Sequence, residues 1–322
     1  GGNALNTITT TSSNTAVGYN SLAVSTAANN TAVGRSSLLA NTSGTANVAV
    51  GADALAANTT ASNNTAVGFL AGAAVTTGVE NTLIGGLSGD AITTGYQNTA
   101  LGKDALTTNT LSSLNVAIGH SALKTFSGGN AETHNVAVGA NAGLSVTTGI
   151  QNTLIGGLAG DALTDADYNV AVGIEALSAD TLGSGSTAIG RNALSTQNFT
   201  TATTTFNTAV GDRAGLSVTT GVQNTLIGGA AGDALTVGNN NVAVGYESLS
   251  GDTKGDRNVA IGRAALQAQN FTTSTDSYNV AVGYGAGESI TTGVQNVIVG
   301  GQAADAMTSG QNNVFVGYAA AG

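Results

Sequence analysis

One short phrase recurs along the whole chain and leaves few folds open to it. Asn14-Thr15-Ala16-Val17-Gly18 returns as Asn30 to Gly34, again as Asn47-Val48-Ala49-Val50-Gly51, and so on to Gly317. The closing glycine occurs eighteen times; of the seventeen spacings thirteen are 17 residues, one is 16, and three are 20, 21 and 21. A 17-residue period is too short for helix-pair repeats of about 33 to 47 residues or for propeller blades of about 40 to 45, and it fits one turn of a β-solenoid. The expectation is an all-β chain, a parallel β-solenoid or β-roll of about 18 coils. Residues 1–322 then form a single repeat domain, read as a piece of a longer fibre.

Within each copy the residues after Asn read as a short strand, since side chains alternate between faces. Thr15 and Val17 share one face and Ala16 takes the other. A second apolar segment follows the glycine, such as Ala54-Leu55, Ala122-Leu123, Ala193-Leu194 or Ser248-Leu249, and predicts a second strand of about five residues. Loops rich in Thr, Ser, Asn and Gly close the coil. Both faces of the first strand are apolar, and strands of that kind are buried on both. Because a 17-residue coil encloses only a thin core, one face needs a partner, and the simplest is a second and third copy in a homotrimeric fibre.

Asn stands four residues before the glycine in seventeen copies: Asn14, Asn30, Asn47, Asn64, Asn81, Asn98, Asn115, Asn135, Asn152, Asn169, Asn207, Asn224, Asn241, Asn258, Asn279, Asn296 and Asn313, with Ser186 in the remaining one. Coils stack about 4.8 Å apart. Equivalent Asn side chains are therefore expected to bond in a ladder, as in cross-β stacks. At that rise eighteen coils give a rod of roughly 80 to 90 Å.

A longer period overlies the first. The stretch Asn152 to Leu163 returns at Asn224 to Leu235, with relatives at Asn81 to Ile92 and Asn296 to Met307, so coils fall into four-coil blocks of about 72 residues. All three long spacings follow one coil type, which opens with His120, Arg191 or Arg263. Extra residues were admitted once per block. Loops on rigid scaffolds carry function, and these hold aromatics that are scarce elsewhere: Phe126, Phe199, Phe206, Phe271 and Tyr278. They are candidate surface-binding residues for a cell-surface glycan or receptor, with packing against a neighbouring coil or subunit as the alternative.

Composition narrows the function. Eight Lys and Arg against eighteen Asp and Glu give a net charge of −10 and no basic stripe for phosphates, so nucleic acid is not an expected partner. The absence of Pro excludes collagen, and the absence of Cys removes thiolate chemistry. No apolar run reaches the ~18 residues of a spanning helix, so no membrane insertion is expected of this segment. His120 and His134 lie in one block without counterparts, and Gly102-Lys103-Asp104 lacks the spacing of a phosphate loop. No enzyme, cofactor or metal site is expected. Asp90, Asp161, Asp233 and Asp305 read as turn-capping residues rather than as a ring for a metal ion in a trimer. Thr and Val alternate at the first strand position, which argues against an ice-facing Thr array.

The Asn-[Thr/Val]-Ala-[Val/Ile]-Gly unit resembles the head repeats of trimeric autotransporter adhesins. Closer still, Asn29 to Gly34, Asn63 to Gly68 and Thr219 to Gly229 are similar to shaft repeats of phage tail-fibre proteins, which commonly end in a self-cleaving chaperone domain. The resemblance covers essentially the whole chain. It implies a structural segment of a virion tail fibre that associates with itself as a homotrimer and with other fibre or virion proteins, in support of host attachment. The alternatives are an adhesin head on a bacterial surface and an extracellular filament.

Overall fold

The computed structural model describes residues 1–6 and 13–321. The chain is all-β, a parallel β-solenoid of about 18 coils, and no helix occurs among the described residues. It divides into two units, Gly1–Leu158 and Ala159–Gly322. Both are built from the same coil.

Each coil contributes one three-residue strand, from Thr15–Val17 to Thr153–Ile155 in the first unit and from Val170–Val172 to Val314–Val316 in the second. Neighbouring strands pair in parallel with like residues opposite: Thr31 faces Val48, Ala32 faces Ala49 and Val33 faces Val50. The middle residue points inward and is fully buried, as at Ala49, Ala66 and Leu83, while its two neighbours stay partly exposed. The inward side is apolar but narrow. The outward side is apolar too and faces solvent within the chain.

Glycine ends each strand for a steric reason. At Gly51 φ is 137°, and a Cβ built there would fall on the carbonyl oxygen of Gly68 in the next coil. The glycines thus stack backbone on backbone, with no room for a side chain.

The second apolar segment is a turn and not the strand its composition predicts. Ala54 and Leu55 are adjacent and both fully buried, whereas adjacent strand residues would point to opposite faces. Left-handed residues at alternate positions, Asp53 at φ 59° and Leu55 at φ 49°, turn both side chains inward. The same geometry recurs at Asp104 and Leu106, and at Glu175 and Leu177. Such a backbone costs a non-glycine residue about 1–2 kcal/mol. Cross-coil bonds such as Leu55 N–H to the Ala71 carbonyl, 3.0 Å, and burial of the leucine offset that cost.

The four-coil period is a packing rule. Where Leu55 fills the turn in one coil, the next has Gly72, and a Cβ there would lie 2.7 Å from Leu83 Cδ1 and 3.0 Å from Leu55 Cδ2. Gly89, in the coil after, is held to the same rule by Leu83 and Ile92. Seven residues beyond each strand glycine lies a second inward column that alternates in pairs: Val75 and Ile92 in the glycine coils, Asn109 and Phe126 in the leucine coils. In the second unit Val218 and Leu235 alternate with Asp252 and Gln269. Large and small residues interdigitate down the axis.

The longer coils close with added pairings. Gly183–Ser184 pairs with Thr203–Thr204 and Gly255–Asp256 with Thr275–Asp276, while Ser113 bridges to Glu132 in the first unit. Three of the five aromatic candidates are corrected here. Phe126 is fully buried, and Phe199 and Phe271 are 7% exposed. Phe126 occupies the inward column with its ring against Gly128, and Phe271 lies on Gly255. The added residues widen the coil, and these rings fill the space. Only Phe206 and Tyr278 project, at 62% and 46% exposure.

Candidate interaction surface

The asparagine column is the best-bonded feature of the inner wall. Asn81 Oδ1 accepts the backbone N–H of Asn98 at 3.0 Å and its Nδ2 at 3.2 Å. Asn81 Nδ2 donates to Asn64 Oδ1 at 3.1 Å and to the Gly95 carbonyl at 2.9 Å. One amide therefore serves its own coil and both neighbours. The same set repeats at Asn241 and Asn296 in the second unit. Asn258 Oδ1 instead accepts Ser277 Oγ and the N–H of Asn279, and Asn313 Nδ2 donates to Asn296 Oδ1 and the Met307 sulfur. Ser186 breaks the column, and Gln197 repairs it: its Nε2 donates to Ser186 Oγ at 2.8 Å and its Oε1 accepts from Asn207 Nδ2 at 2.8 Å.

A second ladder runs outside. Thr42, Thr59, Thr76 and Thr93 each donate both N–H and hydroxyl to the carbonyl of the next coil's threonine; for Thr76 onto Thr93 the distances are 2.9 and 3.2 Å. Thr219, Thr236 and Thr291 continue the pattern in the second unit. Sequence reasoning sought a Thr array in the strands and missed this one. Alignment on the glycine reveals it, eight residues further on.

Buried carboxylates were also missed. Asp180 is fully buried; its Oδ1 accepts the N–H groups of Gly183 at 3.1 Å and Phe199 at 3.0 Å, and its Oδ2 accepts Gln197 Nε2 at 2.6 Å. Asp252 does the same with Gly255, Phe271 and Gln269. These groups close the widened coils. Asp90, Asp161 and Asp233 sit differently: burial raises the pKa of each above the ordinary carboxylate value, against the pull of backbone N–H groups and, at Asp233, first of the Arg213 charge. Asp104 raises Asp90 further, and Glu175 and Glu247 do so for Asp161 and Asp233. One oxygen each of Asp90 and Asp161 is buried without a hydrogen-bond partner. His134 stands 3.9 Å from Glu132 on the surface, and His120 is exposed. Among the described residues there is no group of three or more His, Asp or Glu arranged for a metal and no pocket.

What remains accessible is the outward strand face. Its third column holds Val, Ile or Leu in all eighteen coils, its first holds only Thr or Val, and neither carries a charge. In the first unit Val67 is 36% and Leu101 44% exposed; in the second Ile189, Ile227, Ile261 and Val299 lie at 37–38%. No protein-family model matches the chain, and no curated protein matches it significantly. The face must be interpreted on its own chemistry. Beside it, directly after the glycines of the second unit, Tyr246, Tyr284 and Tyr318 project at 51%, 53% and 79% exposure. On its other edge Arg257 lies 5.5 Å from the Tyr278 ring and pairs with Asp276.

Proposed function

We propose that this chain is a non-enzymatic structural segment, the shaft of a phage tail fibre on the virion, and that it works as a homotrimer joined to other fibre proteins in support of host attachment. The observation that carries the reading is the uncharged aliphatic face. Extended apolar patches on a soluble surface mark contact sites. Here the patch repeats once per coil, and only a surface with the same rise can match it at every rung. A second copy of the chain has that rise.

The first test is light scattering on the purified chain. The expected particle is about 93 kDa, three times 31.1 kDa, and a stable particle of 31.1 kDa overturns the trimer. The second is to read the encoding frame beyond both ends. A tip or chaperone domain supports the virion fibre, whereas a heptad stalk followed by a membrane barrel makes the segment an adhesin head.

A further inference from the structure

The geometry points to a binding site for an extended, neutral β-1,4-linked glycan along the tyrosine row of the second unit. Strands Val242–Val244, Val259–Ile261, Val280–Val282, Val297–Val299 and Val314–Val316 pair in register. The residues directly after their glycines therefore form one row: Tyr246, Arg263, Tyr284, Gly301 and Tyr318. Tyrosine recurs every second coil, at about 9.6 Å.

Each ring is held. Tyr246 lies over Gly229, and the neighbouring Glu247 carboxylate raises the pKa of its hydroxyl. The Tyr284 hydroxyl accepts from Arg263 at 3.0 Å, with the guanidinium 5.4 Å from the ring centre. Tyr318 lies over Gly301 and donates to Gln302 at 2.9 Å. Rings fixed in advance lose little freedom on binding, and Gly301 on the coil between Tyr284 and Tyr318 leaves the space between those two rings clear.

In a β-1,4-linked chain successive sugars are flipped, so alternate rings present the same apolar face, at a repeat that matches two coil rises. Such faces stack on aromatic rings. Arg263 forms no ion pair among the described residues and is placed to donate to hydroxyls between the first two rings. The net charge of −10 disfavours a polyanion. All three rings are on one chain, so the inference needs nothing of the fibre reading.

The test is titration of the full chain with cellohexaose, chitohexaose, cellobiose and maltohexaose, followed by tyrosine fluorescence, since the chain has no Trp. One or both β-linked hexamers should bind, at least tenfold tighter than cellobiose. Tyr246→Ala and Tyr284→Ala should each weaken that binding tenfold or more, while Tyr168→Ala, outside the row, leaves it unchanged. No response to either hexamer, equal binding of maltohexaose, or unaltered binding by both row variants overturns the site. A change in particle mass in the row variants would make these rings interchain contacts, overturning the glycan site and leaving the fibre reading intact.

Discussion

Replacing Asn81 by Ala strands two buried backbone groups at once, the N–H of Asn98 and the carbonyl of Gly95, which its amide alone serves. Unpaired buried groups cost about 1–3 kcal/mol each, so the variant should lose about 3 kcal/mol or more. Thr76→Val tests the contrast, because the Thr93 carbonyl keeps the backbone N–H of Thr76 at 2.9 Å. Its loss should stay near 1 kcal/mol. Denaturant melts of both variants check the difference, and equal losses would contradict it. The raised carboxylates carry a pH signature. A carboxyl whose pKa is higher folded than unfolded holds its proton more tightly in the fold, so its charged form weakens the fold above that pKa and protonation relieves the penalty. Combining Asp90→Asn, Asp161→Asn and Asp233→Asn should raise Tm at pH 7. It should also reduce whatever stability the parent gains on acidification through the carboxylate range. An unchanged Tm would assign those side chains no net cost. At this scale the sequence was partly legible. The asparagine column could be read because one residue type recurs at one place, whereas the burial of Phe126 and Phe271 could not, since loop membership says nothing of the glycines their rings cover.

The coil was legible where its side chains alternate and opaque where they do not. Ala49 between Val48 and Val50 announces a strand. Ala54 next to Leu55 reads as another strand only if consecutive side chains diverge, and the left-handed leucine makes them converge. No residue preference signals leucine in that conformation. The alternation of Leu55 with Gly72, and of Ala66 with Leu83, was visible as a duplication, but its cause is volume. Leu83→Ala should cost 2–5 kcal/mol through the cavity it leaves. Adding Gly72→Ala to that variant places a methyl beside the vacated space, although φ of 59° at Gly72 carries its own penalty. The double variant should therefore lose less than the sum of the two single losses. Strict additivity in melts would mean that the columns do not pack as a unit.

For the assembled molecule the decisive substitutions are those that one chain alone would scarcely notice. Ile227→Lys with Ile261→Lys puts two charges on partly exposed positions, where surface changes usually stay within about 0.5 kcal/mol. In a trimer joined through this face the same pair should dissociate the particle. Mass and melting measured together separate the cases: a parent multimer that persists with both lysines in place excludes this face as the junction. The longer coils offer a different use. Their extra residues leave and rejoin the wall between fixed rungs, at Thr200 to Thr204 and again at Thr272 to Asp276, with exposed tips at Thr201 and Thr273. Phe199 and Phe271 are 72 residues but only four coils apart, about 19 Å at the strand spacing. Peptides grafted at the two tips would thus be displayed on one flank at a set interval, and lengthening one would leave the other in place. A scaffold that accepts new sequence at regular stations without changing its rise can diversify what it presents while keeping what it measures.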